Sequence, residues 1–214
     1  MTASTQEKFD SAMASLPLVA ILRGLRPDEA PAVGDALVDA GFRLIEVPLN
    51  SPQPLESIAV LRKRHPDALV GAGTVLSTQH VQAVHAAGGE LVVSPDCKSA
   101  VIAATRQAGM VSLPGIMTPT EAFAALDAGA HGLKIFPAEL ASPAVAKALL
   151  AVLPPGTPLL PVGGIAPGNM ADWQAAGVAG FGIGSALYKP GKSAAAVRDD
   201  AHAFAAAYRA LLRA

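Results

Sequence analysis

Ala-rich amphipathic stretches alternate with short apolar runs along the chain, and the joints between them repeat. Five joints share one form: Asp39-Ala40-Gly41, Ala86-Ala87-Gly88, Gln107-Ala108-Gly109, Asp127-Ala128-Gly129 and Ala175-Ala176-Gly177. Glycine just past a helix takes the left-handed cap conformation that a Cβ penalises. Each joint therefore reads as helix, glycine cap, strand. The five glycines lie 47, 21, 20 and 48 residues apart, so two gaps hold one unit and two hold a pair. The hidden helices end near Arg64-His65-Pro66 and near Leu153-Pro154-Pro155. With the opening run Leu18-Val19-Ala20-Ile21-Leu22, the pattern predicts strands over 18–23, 43–48, 69–74, 91–94, 110–114, 132–136, 159–163 and 180–184.

Strands alternating with helices imply right-handed crossovers and a parallel sheet, hence the α/β class. Eight units in unbroken succession predict a closed (β/α)8 TIM barrel rather than an open sheet. The length of 214 residues suits one such domain over 1–214, and no linker or low-complexity tract divides it. Residues 5–15 predict an extra helix, so that 1–17 form an N-terminal helical extension, and 193–213 read as the last barrel helix.

Charge and cysteine content narrow the setting. Sixteen Lys+Arg against 17 Asp+Glu leave no electrostatic footprint for nucleic acid or an anionic membrane. The apolar runs stop well short of the roughly 18 residues of a membrane span. One cysteine, Cys97, excludes an internal disulfide and suits a reducing compartment. The polar, acid-bearing start MTASTQEKFDSAM is unlike a signal peptide. A cytoplasmic protein is the expectation.

In a barrel of this kind the reactive groups sit at the C-terminal ends of strands or just beyond. Of the seven lysines only Lys134 lies inside an apolar strand, Gly132-Leu133-Lys134-Ile135-Phe136. Alternation sends Leu133 and Ile135 to the helix-covered outside and Lys134 inward. The same parity in Arg43-Leu44-Ile45-Glu46-Val47-Pro48 points Glu46 inward. Two readings are open: a buried structural ion pair, or an amine nucleophile with its proton shuttle. Apolar surroundings lower a lysine's pKa, and a neutral amine attacks a ketone to form a Schiff base.

Glycine-rich strand ends add a second feature. Val162-Gly163-Gly164-Ile165 closes the seventh strand and Gly180-Phe181-Gly182-Ile183-Gly184-Ser185 the eighth. The loops after strands seven and eight frequently build a phosphate site, and Ser185 adds a hydroxyl; the bland reading is tight turns only. Arg23 ends the first strand, where it either clamps an anionic substrate group or pairs with a neighbouring loop. Thr74 ends Gly71-Ala72-Gly73-Thr74, and Leu76 stands where a dinucleotide fingerprint needs its third glycine. The histidines show no i,i+4 pair and Cys97 stands alone, so no metal pattern emerges. His80 and His85 read as solvated on a helix, Trp173 as packing, and the roles of Cys97 and Lys98 stay open.

In order along the chain, Ile21-Leu22-Arg23-Gly24, Ile45-Glu46-Val47-Pro48-Leu49-Asn50-Ser51, Gly71-Ala72-Gly73-Thr74-Val75-Leu76, Leu133-Lys134-Ile135-Phe136-Pro137 and Val162-Gly163-Gly164 resemble the KDPG/KHG aldolase family. The resemblance runs from about Leu16 to Tyr208. It implies a (β/α)8 barrel, usually a homotrimer, acting without metal or cofactor as a class I aldolase. The implied substrate is a phosphorylated 2-keto-3-deoxy sugar acid, and the products are pyruvate and glyceraldehyde 3-phosphate. It assigns Lys134 as the Schiff-base lysine, Glu46 as acid/base and Thr74 to the pyruvyl carboxylate. Gly163, Gly164, Gly184 and Ser185 fall to the phosphate.

Two departures bear on the substrate. Pro48-Leu49-Asn50-Ser51 lacks the Arg of the gluconate branch, a role that the resemblance passes to Arg23, and Val162 replaces a Thr. Losing that hydroxyl removes a hydrogen bond that favours one configuration at C4, so both point to the galactonate branch. The alternatives are the gluconate epimer, or a non-covalent phosphate-binding barrel isomerase, in which Lys134→Arg would retain turnover. A metal-dependent aldolase would lose activity on chelation, and a binding module would form no pyruvate.

Overall fold

The computed structural model describes residues 3–213. Residues 1, 2 and 214, the outermost parts of the expected 1–214 domain and 1–17 extension, lie outside the described residues. All five joint glycines are left-handed, with φ of +106° at Gly41, +80° at Gly88, +71° at Gly109, +93° at Gly129 and +95° at Gly177. The helices are α1 Thr5–Ser15, α2 Ala30–Ala40, α3 Pro54–Arg64, α4 Thr78–Ala86, α5 Ser99–Gln107, α6 Pro119–Asp127, α7 Pro143–Leu150, α8 Met170–Ala175 and α9 Ala194–Leu211. The strands are β1 Leu18–Ile21, β2 Leu44–Pro48, β3 Leu69–Gly73, β4 Leu91–Val93, β5 Val111–Leu113, β6 Gly115–Ile116, β7 Leu133–Ile135, β8 Leu159–Pro161 and β9 Phe181–Ile183.

The fold is α/β on parallel strands, as the alternation predicts. One sheet has the order β5-β4-β3-β2-β1-β9 and the other β6-β7-β8. The expected strand 110–114 is divided: Pro114, without an N–H, breaks the ladder between β5 and β6. Its carbonyl accepts from Lys134 N (2.9 Å), so the chain still runs from one sheet into the other. On the far side a parallel bridge, Val162 to Gly182, joins β8 to β9. The ladders are shorter than expected at their C-terminal ends. Residues 22–23, 74, 94, 136, 162–163 and 184 lie beyond the strands, where the chain turns into the loops above them.

Strand alternation sorts the apolar residues into two clusters. Leu18, Ala20, Ile45, Val47, Val70, Leu133 and Ile135 pack outward against the helices. Val19, Leu44, Leu69, Leu91, Val93, Val111, Leu113 and Leu160 face one another inside. α1 closes this inner cluster from below with Phe9 and Ala12, each nearly fully buried. A capping box between Ser4 and Glu7 starts that helix. His131 holds the same floor: its Nδ1 accepts from Ser112 N, its Nε2 meets Arg106, and its ring lies edge-on to Phe9. The apolar floor leaves the opposite end of the strands for polar groups.

Candidate active site

A cavity of about 650 Å³ opens at the C-terminal ends of β1, β2, β3, β7, β8 and β9. Every site residue singled out in the sequence lines it: Lys134, Glu46, Arg23, Thr74, Val162, Gly163, Gly164, Gly184 and Ser185. They come from distant segments that only the sheet brings together.

Lys134 sits in β7 with Gly115 and Leu160 as its register partners, and is buried with Leu133 and Ile135 on the opposite side. Its side chain borders an apolar gap lined by Val93, Leu113, Leu160 and Val162. Nζ lies 4.4 Å from the centroid of the Phe136 ring. Burial lowers the lysine's pKa, Glu46 opposes that and Arg23 adds to it. Glu46, in β2 between Ile21 and Gly71 in register, is 2 % exposed, and its Oε2 is buried with no hydrogen-bond partner. Burial pushes its carboxyl up to about 7, against the pull of Lys134 and Arg23. The two side chains interact through space, without the direct contact of a structural ion pair. Each is pushed toward its neutral form, which makes the amine easier to free and leaves a carboxyl able to hold or give a proton near neutral pH.

Glycines make the room for this pair. A Cβ at Gly73 would come within 1.8 Å of Glu46 Oε2, so only glycine admits the carboxyl at that position. The next residue, Thr74, has φ +58°, a left-handed conformation that costs a β-branched residue about 1–3 kcal/mol. Its neighbours pin it there: Leu49 N donates to Gly73 O, Val75 N to Val93 O, and Ser94 Oγ to Val75 O. Backbone strain held in this way turns Thr74 into the cavity.

Arg23 Nη1 donates to Asn50 Oδ1 (2.8 Å), and Gly24 N to Ser51 Oγ (2.9 Å). The loop after β1 is thus tied to the loop after β2, and Asn50 orients the guanidinium. At the far wall Gly163 and Gly164 have φ +116° and +64°. Val162 packs over Gly182, where a Cβ would meet its Cγ2 at 2.5 Å.

Sequence reasoning missed several lining residues, among them Asn50, Phe136, Glu139, Tyr188 and Lys189. Phe136 lies two residues beyond the inward lysine, so the same strand parity could have found it. Tyr188 is buried with its hydroxyl donating to Glu29 Oε2, and burial together with Glu29 raises its pKa to about 12. Cys97 and Lys98 lie outside the cavity lining. The Cys97 thiol donates to Glu121 O and is pushed up by burial, while Lys98 pairs with Asp96 and donates to Leu76 O. His85 is exposed as expected, whereas His80 is half-buried and accepts from Leu76 N at Nδ1. Trp173 packs in the core. Among the described residues no helix is long and apolar enough to cross a membrane. Among the same residues no group of three His, Cys, Asp or Glu gathers to hold a metal.

A family model described as KDPG and KHG aldolase matches residues 9–200. The probable 2-dehydro-3-deoxy-6-phosphogalactonate aldolase of Rhizobium meliloti (strain 1021) is 51 % identical over 196 residues, 91 % of this chain and 92 % of that protein. The 2-dehydro-3-deoxy-6-phosphogalactonate aldolase of Escherichia coli (strain K12) is 49 % identical, over 91 % of this chain and 95 % of that protein. A solved structure described as native KDPGal superposes with a TM-score of 0.91 at 48 % identity, covering 93 % of this chain and 97 % of that one.

Proposed function

The chain belongs to the KDPG and KHG aldolase family and is a carbon–carbon lyase, and from that premise we propose that it is a class I aldolase cleaving 2-dehydro-3-deoxy-6-phosphogalactonate to pyruvate and D-glyceraldehyde 3-phosphate. The observation that carries this reading is the pairing of Lys134 and Glu46, each pushed by burial toward its neutral form in one cavity. The two sheets, linked through Pro114 and the Val162–Gly182 bridge, support a closed (β/α)8 TIM barrel with α1 as an extra N-terminal helix, forming one domain. The family resemblance supports a cytoplasmic homotrimer, checked by light scattering on the eluted protein.

Lys134, as the free amine, attacks the C2 ketone of the substrate, and loss of water gives a protonated imine. Phe136, already beside the nitrogen, presents its ring face to that cation. The C3–C4 electron pair flows into the iminium while Glu46 takes the proton from the C4 hydroxyl. Glyceraldehyde 3-phosphate leaves, and an enamine of pyruvate stays on Lys134. Glu46 returns the proton to C3, and hydrolysis frees pyruvate and the amine. Arg23, oriented by Asn50, takes the substrate carboxylate together with Thr74. The Gly163–Gly164 and Gly184–Ser185 loops take the phosphate.

The choice of epimer rests on Val162 and on Asn50 beside Arg23, and the similarity to the two galactonate enzymes supports it. The gluconate epimer is the less supported alternative. Pyruvate formation from each epimer, measured separately, tests the choice. A kcat/KM about tenfold or more in favour of the galactonate compound is expected; equal or reversed values overturn it.

A further inference from the structure

Two acids line the cavity, and only Glu46 has a part in the chemistry. The other, Glu139, stands on the short 3-10 turn Ala138–Leu140 that follows Lys134 in the chain. That turn is fastened to the wall it faces, because Ala138 N donates to Val162 O (2.9 Å). The fastening lays the Glu139 side chain on the Gly163–Gly164 loop. A Cβ at Gly163 would lie 1.9 Å from Glu139 Oε2, and one at Gly164 would lie 3.1 Å from its Cγ.

A carboxylate resting on a glycine loop suited to an anion repels any second anion that comes there. Glu139 is otherwise exposed to solvent, so its side chain has somewhere to turn. We propose that Glu139 is a displaceable counter-anion of the phosphate loop: it covers Gly163–Gly164 in the resting enzyme, yields to a phosphoryl group and opposes its retention. This rests on the aldolase reading for the identity of the phosphorylated substrate. A substrate held at Lys134 by a covalent bond keeps its phosphate near the loop long enough to displace the side chain. A free phosphate, or the phosphorylated aldehyde after C3–C4 cleavage, has no such tether. Glu139 therefore favours release of that product and selects against untethered phosphates.

Calorimetric titration with inorganic phosphate tests this on the unmodified protein, Glu139→Gln and Glu139→Ala. Both variants are expected to bind phosphate about tenfold more tightly, since both remove the charge. Adding Ser185→Ala to Glu139→Gln is expected to take back part of the gain. Unchanged or weaker binding by Glu139→Gln overturns the proposal, as does a gain confined to Glu139→Ala or indifferent to Ser185→Ala. Exchange of the pyruvate methyl protons by the unmodified protein involves no phosphate and tests the aldolase reading separately. If exchange occurs and the titrations fail, the counter-anion role falls alone; absent exchange overturns the aldolase reading instead.

Discussion

Replacing Glu46 with Gln tests the electrostatics of the site through the stability of the whole molecule. Burial raises the Glu46 carboxyl from its ordinary 4.5 to about 7, so the native state keeps a proton that the unfolded chain releases. Stability from this group is fully present below pH 4.5 and is lost as pH rises through about 7. Moving the carboxyl that far corresponds to about 3 kcal/mol, most of which falls between pH 5 and pH 8. Glutamine keeps the shape and cannot ionise. Its own unpaired amide costs the fold something, but that cost does not vary with pH. Urea denaturation of both proteins at pH 5, 6, 7 and 8 reads the effect, because titrating groups that do not interact with Glu46 cancel in the difference, leaving Glu46 and its coupled neighbour Lys134. Glu46→Gln is expected to gain about 2–3 kcal/mol on the unmodified protein between pH 5 and pH 8. A difference that stays flat over this range would refute the buried, unpartnered carboxyl and with it the poised acid/base.

The same carboxyl sets a limb of the pH–rate profile. The kcat/KM for cleavage should rise with pH through a midpoint near 7, and that limb should vanish in Glu46→Gln along with most of the rate. His131, held by burial and by Arg106 from an ordinary 6.5 down to about 4, contributes stability above pH 6.5 that is lost as pH falls toward 4. His131→Asn should therefore be less stable at pH 7 yet less sensitive to acid, as urea midpoints at pH 5 and 7 will read. Val162→Thr restores a hydroxyl beside the substrate chain and should shift the epimer ratio of kcat/KM toward the gluconate compound by about tenfold. An unchanged ratio would remove Val162 from the specificity argument.

The parts of this molecule that the sequence makes legible are those governed by local rules. The left-handed glycines mark the helix ends because no other residue adopts that φ as cheaply, and they set the frame for every strand. Parity then places Lys134 and Glu46, since a strand with two apolar neighbours against the helices leaves its central residue one direction to point. The strand pattern runs on over 110–114, yet Pro114 cannot donate to the ladder and divides the strand. Glu139, Asn50 and Lys189 carry no periodic signal. They lie on loops, and their place in the cavity follows from contacts made between loops, such as Ala138 N to Val162 O and Arg23 to Asn50. The distance between Lys134 and Glu46 was equally beyond parity, which permitted a direct ion pair that does not form.

The central claim is a covalent bond between Lys134 and the keto carbon. Incubating the protein with pyruvate and sodium borohydride, then mapping peptides by mass spectrometry, tests it most directly. The account predicts a reduced pyruvyl adduct on Lys134 and on no other lysine. Folded protein that forms pyruvate from the phosphorylated sugar acid, yet carries no adduct on Lys134, would contradict it.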